Sequence, residues 1–298
     1  PRDLEKCPVG QCKYVLLTTP DGGIINDPVL LRLGKNHFWL SLSDWDVLFW
    51  CKGVAVNADL DVIVREPDVS PLQLQGPKSK DVMVDLFGED ILDLEYYHLL
   101  ETELDDIPLV ITRTGWSAER GYELYLRDSK FGEALWDRVM AVGAKHNLRP
   151  IAPSEIRRIE AGILNYSSDI MLDNNPYEVG LGWTVDEAKD AGYLGKEALR
   201  RIKREGVTRK LVGVEVEGEP LGAWIPDYWD VHAAGRKVGH VTSLTYSPRL
   251  EKNIGYALVD IGSAKTGTGL RVSTSRGVRE ATVVKKPFVD PKKDIPKS

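Results

Sequence analysis

The chain has 298 residues, of which 42% are hydrophobic and 28% charged, and its formal net charge is −6. That composition excludes a disordered tail, a collagen-like chain and a small disulfide-stapled module, and at roughly 100–200 residues per domain the length suggests two domains. The acidic balance argues against nucleic acid as the main partner, because neutralising phosphates takes a surplus of Lys and Arg.

Lys13–Thr19 is a β-rich run ending at the turn signal Pro20-Asp21-Gly22-Gly23, after which Ile24-Ile25 resumes. Val29–Leu33 and His37–Ser43 flank Gly34-Lys35-Asn36 as a hairpin. Ser43 or Asp44 can cap a helix through about Val54. Asp61–Arg65 and Leu72–Leu74 read as strands, and a helix is expected from Lys78 to Phe87. Residues 81–112 hold ten acidic side chains and no Lys or Arg, read as a solvated acidic face rather than a cation site. Val110–Thr114 and Tyr122–Leu126 read as strands around Gly115–Gly121. Phe131, Leu135, Val139 and Val142 fall at helical spacing with Ser129 as a cap, and a second helix is expected from Pro153 to about Leu164. The basic stretch Lys196–Lys210 reads as an exposed helix plus linker. Beyond it, Leu211–Val216, Val238–Thr245, Ile254–Val259, Leu270–Ser273 and Glu280–Val284 are short β-rich runs between turns, which suggests a separate all-β barrel or sandwich.

Three cysteines, Cys7, Cys12 and Cys51, in a chain this long fit a reducing, cytoplasmic compartment. No apolar run approaches the roughly 20 residues that span a bilayer. The N-terminus has no apolar signal-peptide core, and no membrane partner is expected. The five His are scattered without zinc-like spacing, and no metal is expected. There is no nucleophile elbow and no Walker loop. Composition and spacing alone stop at a two-domain α+β protein.

Longer strings go further. Gly22-Gly23-Ile24-Ile25-Asn26-Asp27, then Leu74-Gln75-Gly76-Pro77-Lys78, then Arg113-Thr114-Gly115-Trp116-Ser117-Ala118-Glu119-Arg120-Gly121-Tyr122-Glu123 occur in this order. Arg158-Ile159-Glu160-Ala161-Gly162, Tyr166 with Asp169, Asn175-Pro176-Tyr177-Glu178, Gly195-Lys196-Glu197-Ala198-Leu199 and Gly239-His240-Val241-Thr242-Ser243 follow. The ordered set closely resembles the aminomethyltransferase (T-protein) family of the glycine cleavage system, from about residue 13 to the end. Asn26-Asp27-Pro28 and Gly115-Trp116-Ser117 lean toward its dimethylsulfoniopropionate demethylase branch, because the glycine-cleavage proteins usually show other residues there. Family members carry a further N-terminal portion that contributes to the folate pocket, so the chain is expected to be N-terminally truncated relative to them. The resemblance implies an α+β fold, with a folate-binding region over 1–205 and a C-terminal all-β barrel domain over 206–298.

It also implies a tetrahydrofolate-dependent one-carbon transfer. Glu123 matches the family's pterin-binding Glu, and a carboxylate suits the paired donors of a pterin edge. Trp116 offers a flat face for stacking, and Tyr14 and Tyr166 are aromatic wall candidates. Asp27 matches the Asp placed near the reacting folate nitrogens and is the catalytic candidate. Arg158 matches an Arg that meets anionic groups and is the substrate-binding candidate. Each also has a plain structural reading: an exposed strand Glu, a core Trp, core tyrosines, a turn Asp, and an Arg–Glu pair on a helix surface. The expected partner is a small-molecule methyl donor, with a lipoyl carrier protein only if the chain is an aminomethyltransferase; the resemblance leaves room for a homodimer. A non-catalytic folate-binding protein, as in the related iron–sulfur maintenance proteins, is the alternative of another class. The stretch matching their Cys-containing motif, Gly192 to Lys196, has no Cys here.

Overall fold

The computed structural model describes residues 1–42, 47–222 and 227–298. It is a mixed α+β structure whose packing divides into two compact units, each discontinuous in sequence. Residues 1–4, 15–27 and 153–292 form one, the barrel unit; residues 5–14, 28–152 and 293–298 form the other, the open-sheet unit.

The first run departs from expectation. Lys13–Thr19 is two strands, β1 (Cys12–Tyr14) and β2 (Leu17–Thr18), one in each unit. β2 folds back on β3 (Ile24–Asn26) across the Pro20–Gly23 turn, and β1 pairs with β4 (Val29–Gly34). An apolar run without alternation does not show where the chain changes partner. β4 and β5 (His37–Ser41) form the expected hairpin. Helix α1 (Val47–Asn57) runs past Val54, and its expected caps, Ser43 and Asp44, lie outside the described residues. The strand expected at Asp61–Arg65 is absent: residues 60–67 have no regular structure and Ile63 is 89% exposed. β-branched residues favour a strand only where a neighbouring strand gives them a surface to pack on.

β6 (Ser70–Gln75), α2 (Ser79–Phe87), β7 (Leu99–Leu104), β8 (Ile107–Thr112), β9 (Gly121–Leu126) and α3 (Gly132–Gly143) complete the open-sheet unit. The four strands form one antiparallel sheet in the order β6-β9-β8-β7. Side chains alternate across a strand. Leu74, Ile111, Tyr122 and Leu124 face one way and pack with Val82, Met83 and Leu86 of α2 and Leu135 and Val139 of α3. Glu123 and Tyr125 therefore face the other way, where Tyr125 and Val110 pack with Cys12, Leu31 and Leu33 of β1 and β4. The short turn before α3 is capped by Asp128, whose carboxylate accepts the Lys130 N–H at 3.2 Å. Ser129, the expected cap, instead donates to Asp68. The acidic stretch is answered by bases from later in the chain: Asp85 meets Lys145 at 2.9 Å and Asp105 meets Arg138 at 2.8 Å.

In the barrel unit, α4 (Glu155–Glu160) is shorter than the expected helix over 153–164. Ser154 caps it by accepting the Arg157 N–H, and Gly162, at φ +73°, turns the chain out of it. α5 (Lys196–Glu205) is not wholly exposed, since Ala198 and Leu199 are buried. It leads almost directly into β10 (Arg209–Val216), where a linker was expected. β11 (Trp229–Ala233), which was not expected, joins β12 (Arg236–Ser247), β13 (Lys252–Asp260), β14 (Gly269–Thr274) and β15 (Gly277–Val284). The six close into a barrel in the order β10-β13-β12-β11-β14-β15. Alternate residues fill it, as Val212, Val214 and Val216 do from β10 and Leu270 and Val272 from β14. The register of β12 against β13 shifts between Val241 and Ser243, a bulge that breaks the alternation there. Among the described residues, no helix is long and apolar enough to cross a membrane.

Beside that bulge a Cβ on Gly255 would overlap the backbone carbonyl of Ser243. Gly255→Ala should therefore lower stability by about 1–3 kcal/mol through overpacking. Gly192→Ala, at a position with open space around it, should leave the urea midpoint unchanged.

Candidate functional site

In the barrel unit the expected residues are Asp27, Tyr166 and Arg158. The Gly22-Gly23 turn delivers Asp27. Gly22 sits at φ +91° against Leu199 and Ile202, and a Cβ on Gly23 would overlap the carbonyl of Leu172. Glycine is what lets the backbone pass so close. Asp27 is half-buried at the end of β3, with its N–H bound by the Asn26 side chain at 2.9 Å. Tyr166 is buried and donates its hydroxyl to the Ile24 carbonyl at 3.1 Å. Burial raises its phenol pKa, and the charge of Asp27 raises it further. The structure thus brings Asp27 and Tyr166 together.

Arg158 is placed differently from expectation. Its side chain is only 1% exposed, so it is not half of a helix-surface pair. Nε and Nη2 donate to Glu155, Nη1 to Asp169 at 2.7 Å and to the Ile163 carbonyl, and Nη2 to Ser243 at 2.8 Å. All five guanidinium N–H groups therefore have acceptors within the unit. Burial acts to lower its pKa, but Asp169 and Glu155 outweigh that and hold it above the ordinary value. Asp169 accepts from Arg158 and the Asn165 N–H with one oxygen, and from Thr242 at 2.7 Å and Ser243 at 2.6 Å with the other. Two consecutive strand residues reach the same carboxylate because the β12 bulge lies at that point. Glu160, also buried, has separate partners, accepting from Ser247 at 2.5 Å and from Arg157 at 3.2 Å. Asp169, Thr242 and Ser243 lie within the motif strings, where nothing local marks them as partners of Arg158.

In the open-sheet unit the expected residues are Tyr14, Trp116 and Glu123. Tyr14 is half-buried at the end of β1, opposite Val29. Trp116 is half-buried in the loop joining β8 to β9. Glu123 is 7% exposed, at the centre of the sheet face turned away from the helices, so it is not an exposed strand Glu. Its strand partners are Gln73 on one side and Thr112 on the other. Gln73 donates to one carboxylate oxygen at 2.9 Å and Thr114 to the other. Burial raises the Glu123 pKa, and the hydrogen bonds from Thr114, Tyr125 and Gln73 pull against it. Burial, followed by the charge of Glu123, raises the neighbouring Cys12 thiol far out of the reactive range. Such a carboxylate can accept the paired N–H donors of an amide-like heterocycle, and its burial makes those bonds strong. A cavity of about 420 Å³ between α2 and β7 contains none of the expected residues. Among the described residues, no three His, Cys, Asp or Glu are grouped to hold a metal ion.

Comparison with known proteins adds identity to this geometry. Residues 1–189 match the model of the GCVT N-terminal domain, and residues 209–290 that of the glycine cleavage T-protein C-terminal barrel domain. A dimethylsulfoniopropionate demethylase of Ruegeria pomeroyi is 38% identical over 286 residues, covering 95% of this chain and 77% of its own. An aminomethyltransferase of Symbiobacterium thermophilum is 32% identical over 299 residues, covering 96% and 78%. The crystal structure of the glycine cleavage system aminomethyltransferase T from Bartonella henselae has the same fold, with a TM-score of 0.84 at 23% identity, covering 96% of this chain and 78% of that one.

Two outcomes follow from the buried charges. Arg158→Ala leaves Asp169 buried without its cation and should cost about 3–5 kcal/mol in urea denaturation. Glu123 has a raised pKa in the folded state, so the folded protein holds its proton to higher pH than the unfolded chain does. Stability should therefore fall as pH rises from the ordinary carboxylate range through that raised pKa. Glu123→Gln should remove this part of the slope in urea midpoints measured from pH 4 to 8.

Proposed function

We propose that this chain, which belongs to the glycine cleavage T-protein (aminomethyltransferase) family, is a demethylase that moves a methyl group from a sulfonium donor such as dimethylsulfoniopropionate to N5 of tetrahydrofolate. A folate-dependent one-carbon transferase is the family's chemistry. The observation that carries the finer reading is the 38% identity to a dimethylsulfoniopropionate demethylase across 95% of the chain, against 32% for the aminomethyltransferase. Asn26-Asp27-Pro28 and Gly115-Trp116-Ser117 support it from within the sequence.

The donor set fits a reduced pterin. Glu123, oriented by Gln73 and Thr114, accepts the N–H groups of the pterin edge. Trp116 offers its indole for stacking, and Tyr14 an aromatic wall. In the barrel unit Asp27, backed by the Tyr166 phenol, carries the charge that acts on the transfer. Arg158 acts as a positioning residue rather than a substrate ligand, because its donors are already engaged. Residues 1–205 then supply the folate-binding region and 206–298 the barrel domain.

Tetrahydrofolate supplies the nucleophilic nitrogen. The S–CH3 bond breaks with its electron pair kept by sulfur, which becomes a neutral thioether; the N5 lone pair forms the new bond and its proton leaves. A neutral leaving group needs no strong general acid, so the protein's work is alignment and exclusion of water.

Incubation with tetrahydrofolate and dimethylsulfoniopropionate should yield methyltetrahydrofolate and the demethylated thioether, resolved by mass spectrometry. Glu123→Gln should raise KM for tetrahydrofolate by roughly tenfold or more, the weight of a charge-assisted hydrogen bond. Asp27→Asn should lower kcat. Turnover of an aminomethyl-lipoyl carrier protein instead would make the chain an aminomethyltransferase, and binding of folate with no turnover of either donor would make it a binding protein.

A further inference from the structure

Gln75 belongs to the string Leu74–Lys78, to which the proposed reaction gives no task. It ends β6 opposite Gly121, in the row next to Gln73 and Glu123. Thr114 lies two residues past Thr112, the last rung of β8 on β9, and the chain returns to β9 at Gly121. The side chain of Gln75 crosses that glycine. Its Nε2 donates to the carbonyls of Thr114 and Tyr122, each at 3.3 Å, and its Oε1 accepts from the Ser117 hydroxyl at 2.6 Å. Carbonyl oxygens only accept, so this is the amide orientation that satisfies all three contacts. A Cβ on either Gly115 or Gly121 would overlap the Gln75 amide. The same segment holds the end of the loop a second time: the Gly76 N–H and the Ser79 hydroxyl both donate to the Arg120 carbonyl at 2.9 Å. Within the loop, Ser117 accepts the Glu119 N–H at 3.2 Å, and Ala118 is held in the left-handed region at φ +52°.

We infer that Gln75 is the positioning residue of the Trp116 loop: one side-chain amide fixes the start, middle and end of residues 114–122 and thereby sets the affinity for the reduced pterin. The pterin half of this statement rests on the proposed function; the loop half does not. The loop carries few backbone ladder bonds of its own, so its path depends on what the neighbouring strand offers it. Gln75 makes contact at Thr114, at Tyr122 and at the residue following Trp116. The glycines at 115 and 121 are the space this arrangement requires.

The test has two readouts on the full chain. Hydrogen–deuterium exchange without folate should quicken roughly tenfold across residues 113–122 in Gln75→Leu, the effect of losing about one net hydrogen bond locally, with the barrel strands unchanged. KM for tetrahydrofolate should rise by about the same factor, with kcat within about twofold of wild type, as expected for lost binding that is uniform between ground and transition states. Ser117→Ala, which leaves the strand untouched, should move both in the same direction by less, and should add little on top of Gln75→Leu. Wild-type exchange in 113–122, or a loosened loop with an unchanged KM, overturns the inference. If wild type binds no tetrahydrofolate, the functional reading fails, and the exchange data alone still decide whether Gln75 holds the loop.

Discussion

The guanidinium of Arg158 is the constraint on which the barrel unit depends. Burying a charge is tolerable only when every one of its hydrogen-bond donors is met and a counter-charge is at hand. Here the partners come from four places in the sequence: Glu155 on the same helix, the Ile163 carbonyl, Asp169 in the following turn and Ser243 on the barrel wall. The short helix, the turn carrying Tyr166 and the bulged strand of the barrel are thereby fixed relative to one another. Asp27 and Tyr166 inherit their setting from this arrangement, since Tyr166 lies three residues before Asp169 and grips the strand that ends one residue before Asp27.

The open-sheet unit solves a different problem, that of keeping a carboxylate buried and partnered. Glu123 occupies an alternating strand whose other face is committed to the helical core, so its direction is set by the pleat and not by local chemistry. Strand β6 and the start of the β8–β9 loop then supply an amide and a hydroxyl that favour the ionised form against the desolvation that disfavours it. The next row of the sheet holds Gln75 opposite Gly121. Charge placement and loop shape are thus two products of one strand register.

What the sequence disclosed, and what it hid, follows from whether the signal is local. Helices α2 and α3 were legible because Val82, Met83 and Leu86, and Leu135 and Val139, repeat on one face. Five of the six barrel strands were legible from β-rich runs between turns; β11 follows residues that give no such run. The β-rich run over Lys13–Thr19 does form strand at both ends, but the change of partner between Tyr14 and Leu17 leaves no mark on such a stretch. The motif strings singled out Asp27, Trp116 and Glu123, but did not disclose the environment of Arg158. An Arg–Glu spacing on a short helix looks the same whether it faces water or a barrel, and the deciding partners, Asp169 and Ser243, are distant in sequence. The β12 bulge has no signature that alternation could reveal.

The chain passes from one unit to the other at residues 4/5, 14/15, 27/28, 152/153 and 292/293. During biosynthesis neither unit has its full set of segments until residues 292–298 have been made, so β2 and β3 must wait for a barrel made long after them. Cutting the gene at a single site cannot yield either unit whole. A graft of the barrel unit into another protein would have to carry three separated pieces of this chain.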